Sequence, residues 1–195
     1  MQIIVVDDEK IKRTTMTDVL NKAGYNVESF ESPISALAHF EKFGADIVIT
    51  DIRMPGLDGF EVLQKVKSIN PNSAVIMITG YGTIESAVEA MKLGAFDYIT
   101  KPFSSDQLLL VINKVKRFFE LEKENISLKA KLSEIYSFHN IVGKSAVMRQ
   151  LYEKLETVSK TDMAVMIEGE SGTGKEIVAN AIHYNSSRKN KPFIK

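Results

Sequence analysis

Three carboxylates, a hydroxyl and an amine carry the chemistry in the amino-terminal part of the sequence: Asp7 and Asp8, Asp51, Thr79 and Lys101. Carboxylates crowded together repel, and a hard divalent cation such as Mg²⁺ relieves that repulsion because it prefers oxygen ligands. If the fold gathers these side chains, a metal site with a lysine beside it is implied. A second pattern, Gly169-Glu170-Ser171-Gly172-Thr173-Gly174-Lys175-Glu176, lies far along the chain. Between a strand and a helix, such a loop cradles phosphate: its amides and the helix amino end face the β-phosphate, while Lys175 reaches the β and γ oxygens. Glu176 stands where the general pattern has the Ser or Thr whose hydroxyl binds Mg²⁺, which puts metal ligation at this loop in doubt.

The elements that position these residues are legible from apolar periodicity. Short, β-branched, nearly continuous apolar runs at 3–6, 25–30, 46–50, 74–79 and 96–100 suit strands buried on both faces, the signature of a parallel sheet. Between them the spacing predicts helices over 10–22, 33–43, 59–69 and 84–93, with a fifth opening near Asp106. Gly24, Gly44 and Gly94 each follow such a helix, where the left-handed residue that stops it is least costly as glycine. Five βα units make an α/β, doubly wound, flavodoxin-like domain, whose ligands collect outside the carboxyl ends of the strands. Asp7 and Asp8 follow the first strand, Asp51 the third and Lys101 the fifth, and Thr79 ends the fourth. Taken singly, these are helix caps, turn residues and a surface charge. Taken together they are five coincidences at one edge of one sheet.

The fifth helix lacks a stop signal, since no Gly or Pro occurs from Phe103 to Val142, and is expected to run long. Phe118, Leu121, Asn125, Leu128, Leu132 and Ile135 alternate in steps of three and four, the seam of a two-stranded coiled coil, with Asn125 able to fix register. A parallel homodimer is expected. After a loop near 136–144, a helix over 146–159 and a strand over 163–168 lead into the glycine-rich loop and another helix. This second α/β unit is read as unfinished at Lys195.

Composition narrows the class. In 195 residues, 44% are hydrophobic and 26% charged, and 25 basic residues balance 25 acidic ones, so overall charge offers no case for a nucleic-acid or membrane-surface binder. No cysteine is present, which excludes structural disulfides and thiolate ligands. No apolar run approaches the ~20 residues of a membrane span, and the opening residues do not form a signal peptide. A cytoplasmic protein is expected.

Over residues 1–118 the sequence resembles the receiver family of two-component response regulators. The resemblance rests on the Asp7-Asp8 pair, Asp51-Ile52-Arg53-Met54-Pro55-Gly56-Leu57-Asp58-Gly59, Thr79 and Lys101-Pro102. It implies that Asp51 accepts phosphoryl from a histidine kinase, and that Asp8, Asp51 and the Arg53 carbonyl hold Mg²⁺ with Asp7 assisting through water. Lys101 then pairs with phosphoryl oxygens, Thr79 hydrogen-bonds to one of them, and Tyr98 turns inward behind Thr79 as a switch. Gly59 is read as supplying a backbone conformation, and Lys101-Pro102 as a cis bond.

Glutamate at position 176 resembles the AAA+ domain of activators that work with sigma-54, as do Ala181-Ile182-His183, Ser187-Arg188 and Pro192-Phe193-Ile194. Ile141-Val142-Gly143 also fits that family, and by the resemblance contacts the adenine of ATP. The order is that of the nitrogen regulatory protein C group: receiver at 1–118, coiled-coil linker at 119–137, and the first part of an AAA+ domain at 138–195. Contacts to sigma-54 RNA polymerase and DNA, and a complete ATPase site, are expected to need segments absent from this chain. The rival reading is an Mg²⁺-dependent aspartyl phosphohydrolase, which also uses Asp, Thr and Lys on such a sheet. It is disfavoured because its nucleophile usually ends the first strand within Asp-x-Asp, whereas here that strand ends in Asp7-Asp8-Glu9.

Overall fold

Apolar residues on both sides of a strand demand cover on both sides, and that demand sets the architecture of the amino-terminal half. The computed structural model describes residues 1–80, 82–136 and 145–194. The chain divides into two units, Met1–Phe118 and Phe119–Lys195. In the first, β1 (Gln2–Val6), β2 (Asn26–Phe30), β3 (Ile47–Asp51), β4 (Ala74–Thr79) and β5 (Asp97–Thr100) form one sheet in the order β2-β1-β3-β4-β5. Every pairing is parallel. β3 and β4 are buried along their whole length, and β1 along all but its first residue. The edge strand β2 has only exposed and half-buried positions instead.

Helices α1 (Lys10–Lys22), α2 (Pro33–Phe43), α3 (Gly59–Ile69), α4 (Ile84–Lys92) and the start of α5 (Ser105–Ile135) supply the cover. One core gathers Ile4, Val6, Val48, Val75 and Met77 of the sheet with Leu37 and Phe40 of α2, Val62, Leu63 and Val66 of α3, and Ala90 of α4. The alternate strand residues Ile3, Val5, Ile47 and Ile49 are equally buried. Strand alternation sends them to the opposite face, to be covered by α1 and α5, whose buried residues are Met16 and Leu20 and Leu108, Val111, Ile112 and Val115. Each fully buried aliphatic side chain contributes roughly 1.5–3 kcal/mol by leaving water.

Local chemistry sets the boundaries. Gly24, Gly44 and Gly94 have φ of 85°, 69° and 92°, the left-handed geometry expected of a helix stop. Asp58 and Glu61 form a reciprocal capping box at α3, and Thr83 and Ser86 do the same at α4.

Helix α5 runs without interruption for 31 residues, as the missing stop signal predicts. Phe118, Leu121, Leu128, Leu132 and Ile135 along it are all exposed. In the second unit the structure describes α6 (Ala146–Ser159) and α7 (Lys175–Tyr184). Tyr136, just past α5, stacks on Tyr184 with ring centroids 5.1 Å apart, and Asn185 Nδ2 donates to the Tyr136 carbonyl. The strand expected over 163–168 does not form. A strand exists by its ladder to a neighbour, and among the described residues none pairs with this segment. Met163 and Met166 remain 73% and 82% exposed.

Candidate functional site

The sheet order reverses between β1 and β3, and the crevice beyond their carboxyl ends is where such a fold holds ligands. Asp7 and Asp8 leave the end of β1, and Asp51 is the last residue of β3 rather than the residue after it. One oxygen from each of these three carboxylates lies within 4.8 Å of the others. Asp7 is wholly buried and Asp51 is 7% exposed, so neither is a solvated surface charge. From the end of β5, Lys101 Nζ donates to Asp7 Oδ2 at 2.9 Å and to Asp51 Oδ2 at 2.5 Å. The Lys101–Pro102 bond is cis. Thr79 ends β4, buried, immediately after Ile78, the residue paired with Asp51. Its carbonyl accepts from Lys101 N at 2.7 Å. The sheet thus brings together Asp7, Asp8, Asp51, Thr79 and Lys101, as the strand-end argument requires.

Main-chain donors orient the carboxylates. Glu9 N donates to Asp7 Oδ1 at 2.8 Å, and Arg53 N donates to Asp51 Oδ1 at 3.2 Å, which draws the Arg53 backbone to the cluster. Thr50 Oγ1 donates to the Asp51 carbonyl. For Lys101, burial by itself pulls the ammonium down; hydrogen bonds and charge from Asp51 and Asp7 outweigh that and raise it above its ordinary value. In ionised form, three carboxylates against one ammonium leave two uncompensated negative charges. A hard divalent cation with oxygen ligands matches both that charge and that donor set, so the residues present fit Mg²⁺.

Gly59 has a different reason from the one its sequence suggests. It opens α3 and is absent from the positive-φ residues; what it supplies is room. A Cβ there would sit 2.3 Å from the Asp51 carbonyl oxygen and 2.8 Å from Ile52 Cα. Tyr98 lies half-buried on β5, and its hydroxyl is 2.8 Å from Ser86 Oγ at the start of α4. Gly82 fits against the same ring, since a Cβ on it would meet Tyr98 Oη at 3.3 Å and Thr100 Cγ2 at 2.6 Å. Two residues beside the site escaped the sequence reading: Ser86, which joins the Tyr98 hydroxyl to the α4 cap, and Arg13, whose guanidinium reaches the Asp7 carbonyl. Only the helical spacing that turns Arg13 toward the β1 end could have signalled it.

In the second unit, Gly172 and Gly174 take φ of 80° and 87°, and α7 opens at Lys175. Lys175 Nζ donates to the carbonyls of Gly169 and Glu170, and Thr173 Oγ1 also donates to Glu170. Ser171 and Glu176 are exposed at the loop and the helix start. Ile141, Val142 and Gly143 lie outside the described residues. His183, unassigned to any ligand, stacks on Phe193 at 4.9 Å and meets the Lys191 carbonyl.

Comparison with known proteins decides the family. A profile described as the response regulator receiver domain matches residues 3–113. The chain belongs to the response regulator receiver family. A second profile, the sigma-54 interaction domain, matches residues 141–195. The chain is therefore a response regulator whose receiver is followed by the beginning of a sigma-54 activator AAA+ domain. It is 37% identical to the regulatory protein AtoC of Escherichia coli over 194 residues, covering 100% of this chain and 42% of that protein. A crystal structure of NtrX from Brucella abortus in complex with ADP is similar with TM-score 0.62 and 38% identity, over 99% of this chain and 42% of that one. The solution structure of the beryllofluoride-activated NtrC4 receiver domain dimer matches with TM-score 0.57 and 32% identity, over 58% of this chain and 94% of that one. The receiver chain thus spans about two-fifths of the length of the full relatives. These relatives do not favour the phosphohydrolase reading. Among the described residues, no helix is long and apolar enough to cross a membrane.

Proposed function

We propose that Asp51 is the phosphoacceptor of a cytoplasmic, sigma-54-dependent transcriptional activator, charged by a histidine kinase. The observation that carries this reading is the nearly buried Asp51 carboxylate bridged to Asp7 by Lys101 within a three-carboxylate cluster. In the transfer, an Asp51 oxygen attacks phosphorus, the bond from phosphorus to the kinase's histidine nitrogen breaks, and the imidazole departs as an acyl phosphate forms. Asp8, Asp51 and the Arg53 carbonyl, with Asp7 acting through water, would hold Mg²⁺, which when bound would supply positive charge toward the phosphoryl oxygens. Lys101, already at the Asp51 carboxylate, pairs with a phosphoryl oxygen, and Thr79 donates its hydroxyl to another. Such positioning and charge neutralisation account for most of phosphoryl-transfer catalysis.

The new group adds about −1.5 to −2 charges at Asp51. Thr79 moves toward it, and Tyr98 follows inward, which breaks its contact with Ser86 and alters the α4–β5 face. We assign residues 1–118 to the receiver, 119–137 to a linker and 138–195 to the first part of the AAA+ domain. The exposed seam from Phe118 to Ile135 pairs with a second copy, so receiver and linker together form the homodimer through which phosphorylation governs AAA+ assembly. In a longer protein that completes the ATPase site, the loop 169–176 binds ATP and Ile141, Val142 and Gly143 contact its adenine. Sigma-54 RNA polymerase and DNA are contacted by parts of a longer protein.

Incubation with a small phosphodonor and Mg²⁺ tests the central step. The expected result is one acyl phosphate per chain, absent from Asp51→Asn. Labelling that survives Asp51→Asn, or multiple turnover of phosphomonoesters, overturns the proposal.

A further inference from the structure

Arg13 is the fourth residue of α1, after Lys10 and Lys12, and in sequence it reads as one more solvated charge on a basic helix start. Its side chain is instead only 13% exposed. Nη1 donates to the Asp7 carbonyl at 2.6 Å and lies 3.4 Å from the Asp8 carbonyl. Nη2 meets Glu31 Oε2 at 3.5 Å, just beyond β2. One guanidinium therefore grips the main chain of two adjacent acidic residues from behind and ties that turn to the end of the neighbouring strand. The Lys12 ammonium pairs with Glu9 and takes no part in this grip.

The geometry points to Arg13 as a positioning residue that holds the Asp7-Asp8 turn so that both carboxylates face the cation site. This rests on the proposed Mg²⁺ reading of the cluster and adds a residue that supports the ligands without touching the metal. The β1–α1 turn needs such support, since Asp7, Asp8 and Asp51 repel one another and the turn is the part of the cluster outside the sheet ladder. Outer partners that orient metal ligands commonly alter affinity by 10–100-fold when removed. A planar fork that sets Nη1 on the turn's carbonyls and Nη2 on Glu31 suits this double attachment better than a point charge does.

Clamp and charge make opposite predictions. If Arg13 mattered only as a positive charge near a cation site, removing it would relieve repulsion and tighten Mg²⁺ binding. If it holds the turn, removing it loosens binding. Mg²⁺ titration of the whole 195-residue chain, followed by ¹H–¹⁵N amide shifts around Asp7, Asp8 and Asp51 without any phosphodonor, separates the two. Arg13→Ala is expected to weaken Mg²⁺ on the order of tenfold, and Arg13→Lys, which keeps the charge but loses the fork, to fall between it and the unaltered chain. Amide spectra report whether each variant is folded; should Arg13→Ala unfold, Arg13→Lys alone decides. Unchanged or tighter Mg²⁺ binding in a folded variant overturns the clamp while leaving the Asp51 proposal standing. An unaltered chain that takes up no Mg²⁺ overturns both.

Discussion

The two units of this chain carry one chemical pattern each, and they differ in what holds the pattern in place. In the receiver, each of the three carboxylates is fixed at or beside the end of a strand whose neighbours are all present, and the ladder sets their separation. In the second unit, the glycine-rich loop keeps its left-handed glycines and its helix start, yet the segment leading into it has no ladder partner among the described residues. Local signals suffice for a loop, whereas a site assembled from distant residues needs the whole sheet. That contrast predicts where substitutions will matter.

The largest effect is expected in the receiver core. Ile76, fully buried at the centre of β4, should cost about 2–5 kcal/mol on truncation to Ala. Val165, at the same kind of apolar run in the second unit but 43% exposed, should stay within ~0.5 kcal/mol. Amide hydrogen exchange reads each unit separately in the intact chain. Equal losses of protection in the two variants would break the comparison, because they would mean that the 163–168 segment is already packed as a strand.

What could be read from sequence follows the same division. The receiver's strands and helices emerged within a residue or two of the expected ends because continuous apolar runs and glycine stops act locally. The cluster of Asp7, Asp8, Asp51, Thr79 and Lys101 was legible because a parallel sheet sends strand ends to one edge. Arg13 and the role of Gly59 were not legible. Their partners are backbone atoms of other segments, and a sequence says nothing about which carbonyl a side chain or a missing Cβ will face. The expected strand at 163–168 failed for the converse reason: its periodicity is genuine, but a ladder requires a second party.

Two glycines sharpen the contrast at the next level of magnitude. Gly59→Ala drives a methyl into the Asp51 carbonyl, which should cost roughly 1–3 kcal/mol as overpacking and slow acyl-phosphate formation. Gly172→Ala meets nothing within 4 Å but must hold φ at +80°, a strain of about 1–2 kcal/mol. Asparagine tells the two apart, since it tolerates the left-handed region. Gly172→Asn should recover part of the stability lost by Gly172→Ala, while Gly59→Asn should be no better than Gly59→Ala. Denaturant titration of the four variants provides the measurement.

A smaller effect is expected at Tyr98. Tyr98→Phe removes only the hydroxyl bond to Ser86, about 0.5–1.5 kcal/mol. Ser86→Ala removes the same bond and also the Ser86 side of the α4 capping box, so it should cost more. Phosphodonor labelling of Tyr98→Phe tests whether that bond restrains the receiver: faster labelling with an unchanged α4 supports the restraint, and an unchanged rate removes Tyr98 from the switch.

The smallest effect concerns pH and isolates Lys101. Because its ammonium is raised above the ordinary value by Asp51 and Asp7 against the opposing pull of burial, folding favours the protonated lysine. The stabilisation is then fully present below the unfolded-state value near 10.4 and is lost as pH climbs through the higher folded-state value. Without divalent cations, the chain should therefore be more stable than Lys101→Met at neutral pH and up to about 10. The difference should shrink above that, because a neutral amine no longer bridges two carboxylates. A gap that stays constant from neutral pH into the strongly alkaline range would mean that Lys101 contributes by packing rather than by charge, and the receiver cluster would then need its cation even to hold its shape.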